Sequence, residues 1–290
     1  MIFIIDSGST KCDWIAIDSK TGDQLFDKQR TKGLNPAIIS ETEAFEIIKN
    51  NTVIYENKQK VSHVYFYGAG CGTIKPVKML KSVLESIFVN AKVEVKEDTY
   101  AAIYATVGVS HSPAVVCILG TGSNCSYYDG KNVEQRVISL GYSIMDDASG
   151  NYFGRQLIRD YYFDKMPHDM KLVFQTRYDV SDDVLKNNLY KKPNPNAYLA
   201  TFAEFMILNK ESEYVQGILK KGFRVFVENM ILQYKEELKT VPVHFAGSIA
   251  YFTQDEIKKV AQEYGFTVGN FERRPIEGLV KYHTIMAQNS

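Results

Sequence analysis

Met1-Ile2-Phe3-Ile4-Ile5-Asp6-Ser7-Gly8-Ser9-Thr10 decides the fold. Apolar, largely β-branched residues run directly into a carboxylate and then into small hydroxyl and glycine residues, which reads as a buried strand ending in a tight loop. Gly8 permits a positive φ and the close approach of a ligand, while the hydroxyls of Ser7, Ser9 and Thr10 stand beside a row of backbone N–H groups suited to an anion. The carboxylate of Asp6 would repel that anion. A divalent cation between them removes the conflict, so the stretch suggests a metal–phosphate site. A plain hairpin turn is the competing reading, and recurrence of the pattern weighs against it.

Residues 12–18 return as a second strand, 20–23 turn, and 24–30 read as a third. The same order restarts about a hundred residues on. Residues 114–119 form a buried strand, Gly120-Thr121-Gly122-Ser123 a hydroxyl-bearing turn, 124–128 a returning strand and 133–138 a third. An internal duplication accounts for both. Between the repeats, apolar spacing predicts a helix over 41–55, a strand over 63–67, a helix over 77–88, a strand over 92–96 ending at Asp98, and a small-residue helix over 101–107. After the second repeat the chain reads as helices over 151–163, 182–188, 197–209 and 211–238. A strand over 241–245, a helix over 255–264, a short strand over 266–268 and a last helix from Pro275 follow. Strands alternating with helices make an α/β protein of two domains with mixed sheets. The expected boundaries are 1–110, joined by helix 275–290, and 111–274, with a cleft between.

The 290 residues carry 34 basic and 34 acidic side chains, so no global field recruits nucleic acid or an anionic membrane. A small metabolite is the expected partner. Cys12, Cys71, Cys117 and Cys125 show no CxxC spacing, and neither a leader nor a run of 18 apolar residues is visible, which points to a cytoplasmic protein with reduced thiols. The five histidines lack a ligand spacing and read as surface or strand residues. Tyr152, Phe153, Tyr161, Tyr162 and Phe163 read as core or subunit interface, and Trp14 as core.

No Gly-x4-Gly-Lys-Ser/Thr is present, and Gly68-x-Gly70-x-Gly72 matches the dinucleotide fingerprint weakly, so any nucleotide has to be held by the paired hairpins. Asp6-Ser7-Gly8-Ser9-Thr10-Lys11, Leu119-Gly120-Thr121-Gly122-Ser123-Asn124, Asp146-Asp147-Ala148-Ser149-Gly150 and Phe245-Ala246-Gly247-Ser248 resemble the ordered motifs of the actin/hexokinase/Hsp70 superfamily. Within it the chain is most similar to the N-acetylglucosamine kinase and BadF/BadG-type ATPase family, over essentially its whole length.

The resemblance implies two duplicated ribonuclease H-like (actin-like ATPase) domains, ATP and Mg²⁺ as cofactors, an amino sugar as substrate, and a homodimer. It places Asp6, Gly8, Ser9, Thr10 and Lys11 in a first phosphate loop, with Asp6 holding Mg²⁺ through water. Gly120, Thr121 and Gly122 would surround the β- and γ-phosphates, and Gly247 and Ser248 would lie against adenosine. Asn35, Ala69, Gly70, Asn124 and Asp146 would meet the sugar, and Asp98 would be the general base. Read from the residues alone, Asp98 is more readily a helix N-cap, and the resemblance turns the reading to the base. The family usually has Asp-Glu-Gly-Ser-Gly where this chain has Asp146-Asp147-Ala148-Ser149-Gly150, a departure that bears on which sugar is taken. The same resemblance allows an ATPase activator with a shared iron–sulfur cluster, or a sugar sensor without activity.

Overall fold

The computed structural model describes residues 1–8 and 11–288, which divide into two compact units, one drawn from 1–111 and 274–288 and the other from 112–273. Unit 1 begins with the strands β1 (Ile2–Ser7), β2 (Lys11–Ile17) and β3 (Gln29–Lys32), followed by helices α1 (Glu41–Lys49) and α2 (Thr52–Glu56). Strand β4 (His63–Gly68), helix α3 (Ile74–Ile87), strand β5 (Lys92–Glu97) and helix α4 (Asp98–Val107) complete this part. The sheet order is β3-β2-β1-β4-β5; β1 and β2 are antiparallel, whereas β1, β4 and β5 run parallel. Ser7 pairs with Gly68 and Gly68 with Glu97, so these three parallel strands end level with one another.

Unit 2 has strands β6 (Ala114–Leu119), β7 (Ser123–Tyr128) and β8 (Val133–Glu134), then helices α5 (Gly150–Tyr162), α6 (His168–Arg177), α7 (Asp182–Tyr190), α8 (Pro195–Thr201), α9 (Ala203–Leu208) and α10 (Glu213–Asn229). Strand β9 (Val243–Ala246), helices α11 (Ser248–Phe252) and α12 (Gln254–Tyr264) and strand β10 (Val268–Glu272) close it. Its sheet reads β8-β7-β6-β9-β10, the plan of unit 1 strand for strand. Both units therefore carry the duplicated actin-like α/β fold that the two hairpins announce. The last helix, α13 (Pro275–Gln288), returns to unit 1.

Each sheet buries a different chemistry. In unit 1, Phe3 meets Trp14 edge-on at 5.7 Å and Phe88 at 5.5 Å, an apolar layer completed by Phe66, Leu80 and Leu84. Tyr65 and Tyr67 point to the opposite face, where α13 covers them: His283 stacks on Tyr65 at 3.9 Å and its Nε2 lies 2.9 Å from the Tyr67 hydroxyl. Gly278 lets α13 cross against Ala105 of α4. His283 is thus neither a surface nor a strand residue, and burial drives its pKa from 6.5 down to about 3. In unit 2 the core gathers Val115, Cys117 and Leu119 with Phe153, Phe223, Phe226 and Phe245.

Several predicted elements are shorter than their apolar spacing suggests, some ended by local bonds and some by distant ones. The third strand starts at Gln29 instead of 24, because Asp18 draws the chain into a turn by accepting from Lys20 N and Thr21 N, leaving Gln24 a lone bridge to Ile17. The helix over 41–55 divides because the Asn51 side chain accepts from Ile54 N and caps a new helix. The third strand of the second repeat stops at Glu134, where Arg136 N turns instead to the Tyr234 hydroxyl. That hydroxyl also donates toward Cys125 O, and the segment carrying it, Ile231–Tyr234, is a 3₁₀ turn rather than a continuation of α10. The helix over 197–209 breaks at Phe202, and α6, a helix following Pro167, has no counterpart in the sequence reading.

Candidate active site

In unit 1 the chemistry collects where the parallel strands end, the usual place for ligands in an open α/β sheet. Asp6 is the penultimate residue of β1 and Asp98 the first of α4, directly after β5. Glu97 occupies the N-cap position of that helix and makes no side-chain cap bond. The charge of Asp98 therefore acts on both Asp6 and Glu97. Burial, and after it the charges of Asp98 and Asp13, pushes Asp6 from 3.8 up to about 7, with Lys11 and Lys28 offsetting only part. Burial also raises Asp98, tempered by the Thr99 backbone N–H, and raises Glu97, to which the charge of Asp98 adds.

The loops over this strand edge are held by named bonds. The Ser7 hydroxyl is buried and accepts from Leu34 N at 2.8 Å, which draws the loop containing Asn35 onto the end of β1. Ala69 N donates to Ser7 O at 2.9 Å, fixing the start of the next loop. Gly70 has φ +80°, and a Cβ there would collide with Asn35 Oδ1, so the two loops touch through that glycine. Asn35 Oδ1 itself accepts from Ala37 N at 3.0 Å. The hairpin after β1 is closed by Gly8 N donating to Lys11 O at 3.0 Å, and Lys11 is exposed. Ser9 and Thr10 lie outside the described residues.

In unit 2 the turn Gly120-Thr121-Gly122 has each of its carbonyls bonded inward. Gly120 O accepts from Gly150 N (2.8 Å), Thr121 O from both Asn151 N (3.1 Å) and Asn151 Nδ2 (2.7 Å), and Gly122 O from Gly120 N (3.0 Å). What this turn can offer a ligand is therefore N–H, the donor an anion needs. Asp146, buried and at φ +66°, braces it by accepting from Ser123 N (3.3 Å) and from Asn151 Nδ2 (2.9 Å). Asn151 Oδ1 is buried with no hydrogen-bond partner. Asp146 and Asp147 also border a cavity of about 220 Å³ with Ser123 and Asn229, whose Nδ2 donates to Asp147 at 2.9 Å. Asn124 turns its Oδ1 back to Cys125 N at 2.7 Å. Gly247, at φ +109°, presses on the same turn: a Cβ there would overlap the Leu119 carbonyl, and exposed Ser248 follows as the first residue of α11.

Asp6, Asn35, Ala69, Gly70 and Asp98 thus converge on one strand edge of unit 1, and Gly120, Thr121, Gly122, Asn124, Asp146 and Gly247 on one turn of unit 2. Sequence reasoning missed Ser7 as a tether, Glu97 as a third carboxylate and Asn151 as the clamp on the turn. A signal for Asn151 exists, since it follows Ser149-Gly150, and Ser149 caps α5 by accepting from Tyr152 N.

No protein-family model matches the chain, and no curated protein matches it significantly. Among solved structures, it resembles a proposed N-acetylglucosamine kinase from Porphyromonas gingivalis, with a TM-score of 0.89 and 32% identity over 98% of this chain and 99% of that one. A second proposed N-acetylglucosamine kinase, from Chromobacterium violaceum, matches with a TM-score of 0.70 and 11% identity over 97% and 98% of the two chains. A ROK family glucokinase from Streptomyces griseus, solved with glucose and AMPPNP, matches with a TM-score of 0.58 and 13% identity over 99% and 98%. The last two share the fold.

Proposed function

The chain belongs to the N-acetylglucosamine kinase family, and from that premise we propose that it transfers the γ-phosphoryl group of ATP to a hydroxyl of an amino sugar, N-acetylglucosamine first among them. The observation that carries this reading is the pair Asp6 and Asp98, two carboxylates raised by burial at the ends of β1 and β5, the parallel strands on either side of β4. Phosphoryl transfer to an alcohol needs an acceptor held in line and a carboxylate to receive its proton. Asp98 has the raised affinity for a proton that such a base requires. As the sugar oxygen bonds to phosphorus, its proton passes to Asp98 and the bond to the ADP oxygen breaks.

In this proposal Asn35, Ala69, Gly70, Asn124 and Asp146 are the residues that meet the sugar. Gly8, Ser9, Thr10 and Lys11 form one phosphate loop. Gly120, Thr121 and Gly122 form the other, and Gly247 and Ser248 line the nucleoside. Asp6 fits a Mg²⁺ ligand, since a carboxylate facing Asp98 and Asp13 with little compensation calls for a cation. When bound, the ion would neutralise the phosphates that these carboxylates otherwise repel. An iron–sulfur ATPase activator is a poorer fit. All four cysteines are buried, Cys117 and Cys125 face each other at 3.5 Å, and burial raises the thiols of Cys12 and Cys117 far above their ordinary range.

ADP release measured with N-acetylglucosamine, N-acetylmannosamine, glucosamine and glucose tests the proposal. Stimulation is expected to be greatest with N-acetylglucosamine. An ATP turnover indifferent to every one of these sugars would overturn it.

A further inference from the structure

We propose that the groove between α10 and α12 is a second ligand site, built from none of the residues assigned to phosphoryl transfer, and that it takes a zwitterion with an ammonium at one end and a phosphate at the other. The groove measures about 680 Å³, within the range of small-molecule pockets. Its two walls are joined at both ends. Gln216 of α10 bonds Glu256 of α12, and farther along Lys220 pairs with Glu263 at 2.8 Å.

The ends carry opposite charge. Glu213 and Glu256 line the first, and neither has an ion pair among the described residues. Glu256 is only 6% exposed; its Oε1 accepts from Gln216 Nε2 at 2.9 Å, while its Oε2 is buried with no hydrogen-bond partner. The first turn of a helix suits a carboxylate but does not pair that oxygen, and a buried acceptor left unpaired is costly. An ammonium supplies both the charge and the N–H. At the second end Lys220 and Arg224 share the one carboxylate of Glu263, at 2.8 and 2.7 Å. Lys259 stands in the wall between with no ion pair among the described residues. Cations in excess there favour an anion such as phosphate.

The distance between the ends sets the length of the ligand. From Gln216 to Lys220 α10 advances about 6 Å, and from Glu256 to Glu263 α12 advances about 10.5 Å. Between them no atom approaches the place of the missing Cβ of Gly217, which with Val260 leaves a bare apolar strip. A pyranose lays its C–H face on such a strip, and an amino sugar phosphorylated on its exocyclic carbon holds amine and phosphate on opposite sides of the ring. The bipolar groove stands by itself; the choice of an amino-sugar phosphate among zwitterions rests on the function proposed above. An N-acetylated sugar phosphate brings Glu256 an amide and no charge. The favoured ligand is therefore the free amine, one deacetylation beyond the product of the proposed reaction.

Calorimetric titration of the whole chain at about pH 7 with glucosamine 6-phosphate, N-acetylglucosamine 6-phosphate or glucosamine tests the site. Glucosamine 6-phosphate is expected to bind at least about tenfold more tightly than either of the others, and saturating N-acetylglucosamine is expected not to displace it. Glu256→Gln should weaken it about tenfold or more. Gly217→Leu fills the groove without meeting any neighbour, so it should have the same effect while the melting temperature does not fall. Equal affinities for the amine and its acetamide, displacement by N-acetylglucosamine, or undiminished affinity in either folded variant would overturn the second site. Sugar-stimulated ADP release persisting beside such a result would leave the kinase proposal standing. Groove binding as expected in a chain that releases no ADP with any sugar would remove that proposal alone.

Discussion

Asp6 and Asp98 repel each other at the strand edge of unit 1: after burial, the charge of Asp98 is the strongest influence holding Asp6 near pH 7. The ligand-free protein therefore keeps a proton on Asp6 that the unfolded chain has released.

A raised carboxylate contributes stability that is present below its unfolded pKa of 3.8 and is lost as pH rises through about 7. Ligand-free protein should lose stability across that window on account of Asp6. Asp6→Asn should flatten the slope and be more stable than the native chain at pH 8 by about 1–3 kcal/mol, as denaturant midpoints at several pH values would show. An unchanged slope in Asp6→Asn would contradict the assignment.

Asp98→Asn retains the shape of the side chain and removes its basicity. Turnover with the best sugar should fall by about 10²–10⁴ with the sugar KM changed little, measured by ADP release. A fall carried entirely by KM would make Asp98 a binding residue instead.

Gly70→Ala places a methyl group against Asn35 at a positive φ. The cost should be about 1–3 kcal/mol, and the sugar KM should rise while nucleotide affinity is kept. Gly247→Ala, against the Leu119 carbonyl, should show the reverse preference, weakening ATP and sparing the sugar KM.

Asn151→Asp exchanges the amide that clamps Thr121 O for a carboxylate beside Asp146, 2.9 Å away. The variant should lose about 2–4 kcal/mol and bind tripolyphosphate poorly, since the turn loses its shape. Asn151→Ser, small and neutral, should be affected less.

How far the residues spoke in advance depends on whether the physics was local. The paired hairpins were legible because a run such as Ile2–Ile5 or Val115–Ile118 followed by small residues has few other uses, and their repetition implied the shared sheet order. Asp98 was singled out through the resemblance, since the residues alone favour a helix cap; β5 ends at Glu97 and Asp98 opens α4. Helix lengths were less legible, since apolar spacing at 211–238 continues past Asn229 and only the distant bonds of Tyr234 end the helix. The third strand of the second repeat failed for the same reason, with Arg136 taken by a residue about a hundred positions away, whereas that of the first was shortened by the local turn at Asp18. Ser7 and Asn151 were overlooked because a hydroxyl or an amide shows its worth only once its partner, Leu34 N or Thr121 O, is in place.

Helix α13 is the last element of the chain and belongs to the first unit, lying across α4 and covering Tyr65 and Tyr67 with His283. During synthesis on the ribosome, residues 112–273 are all available to fold before unit 1 receives its closing helix. The first half to be translated is thereby the last to be finished, and until then Tyr65 and Tyr67 lack the cover of His283.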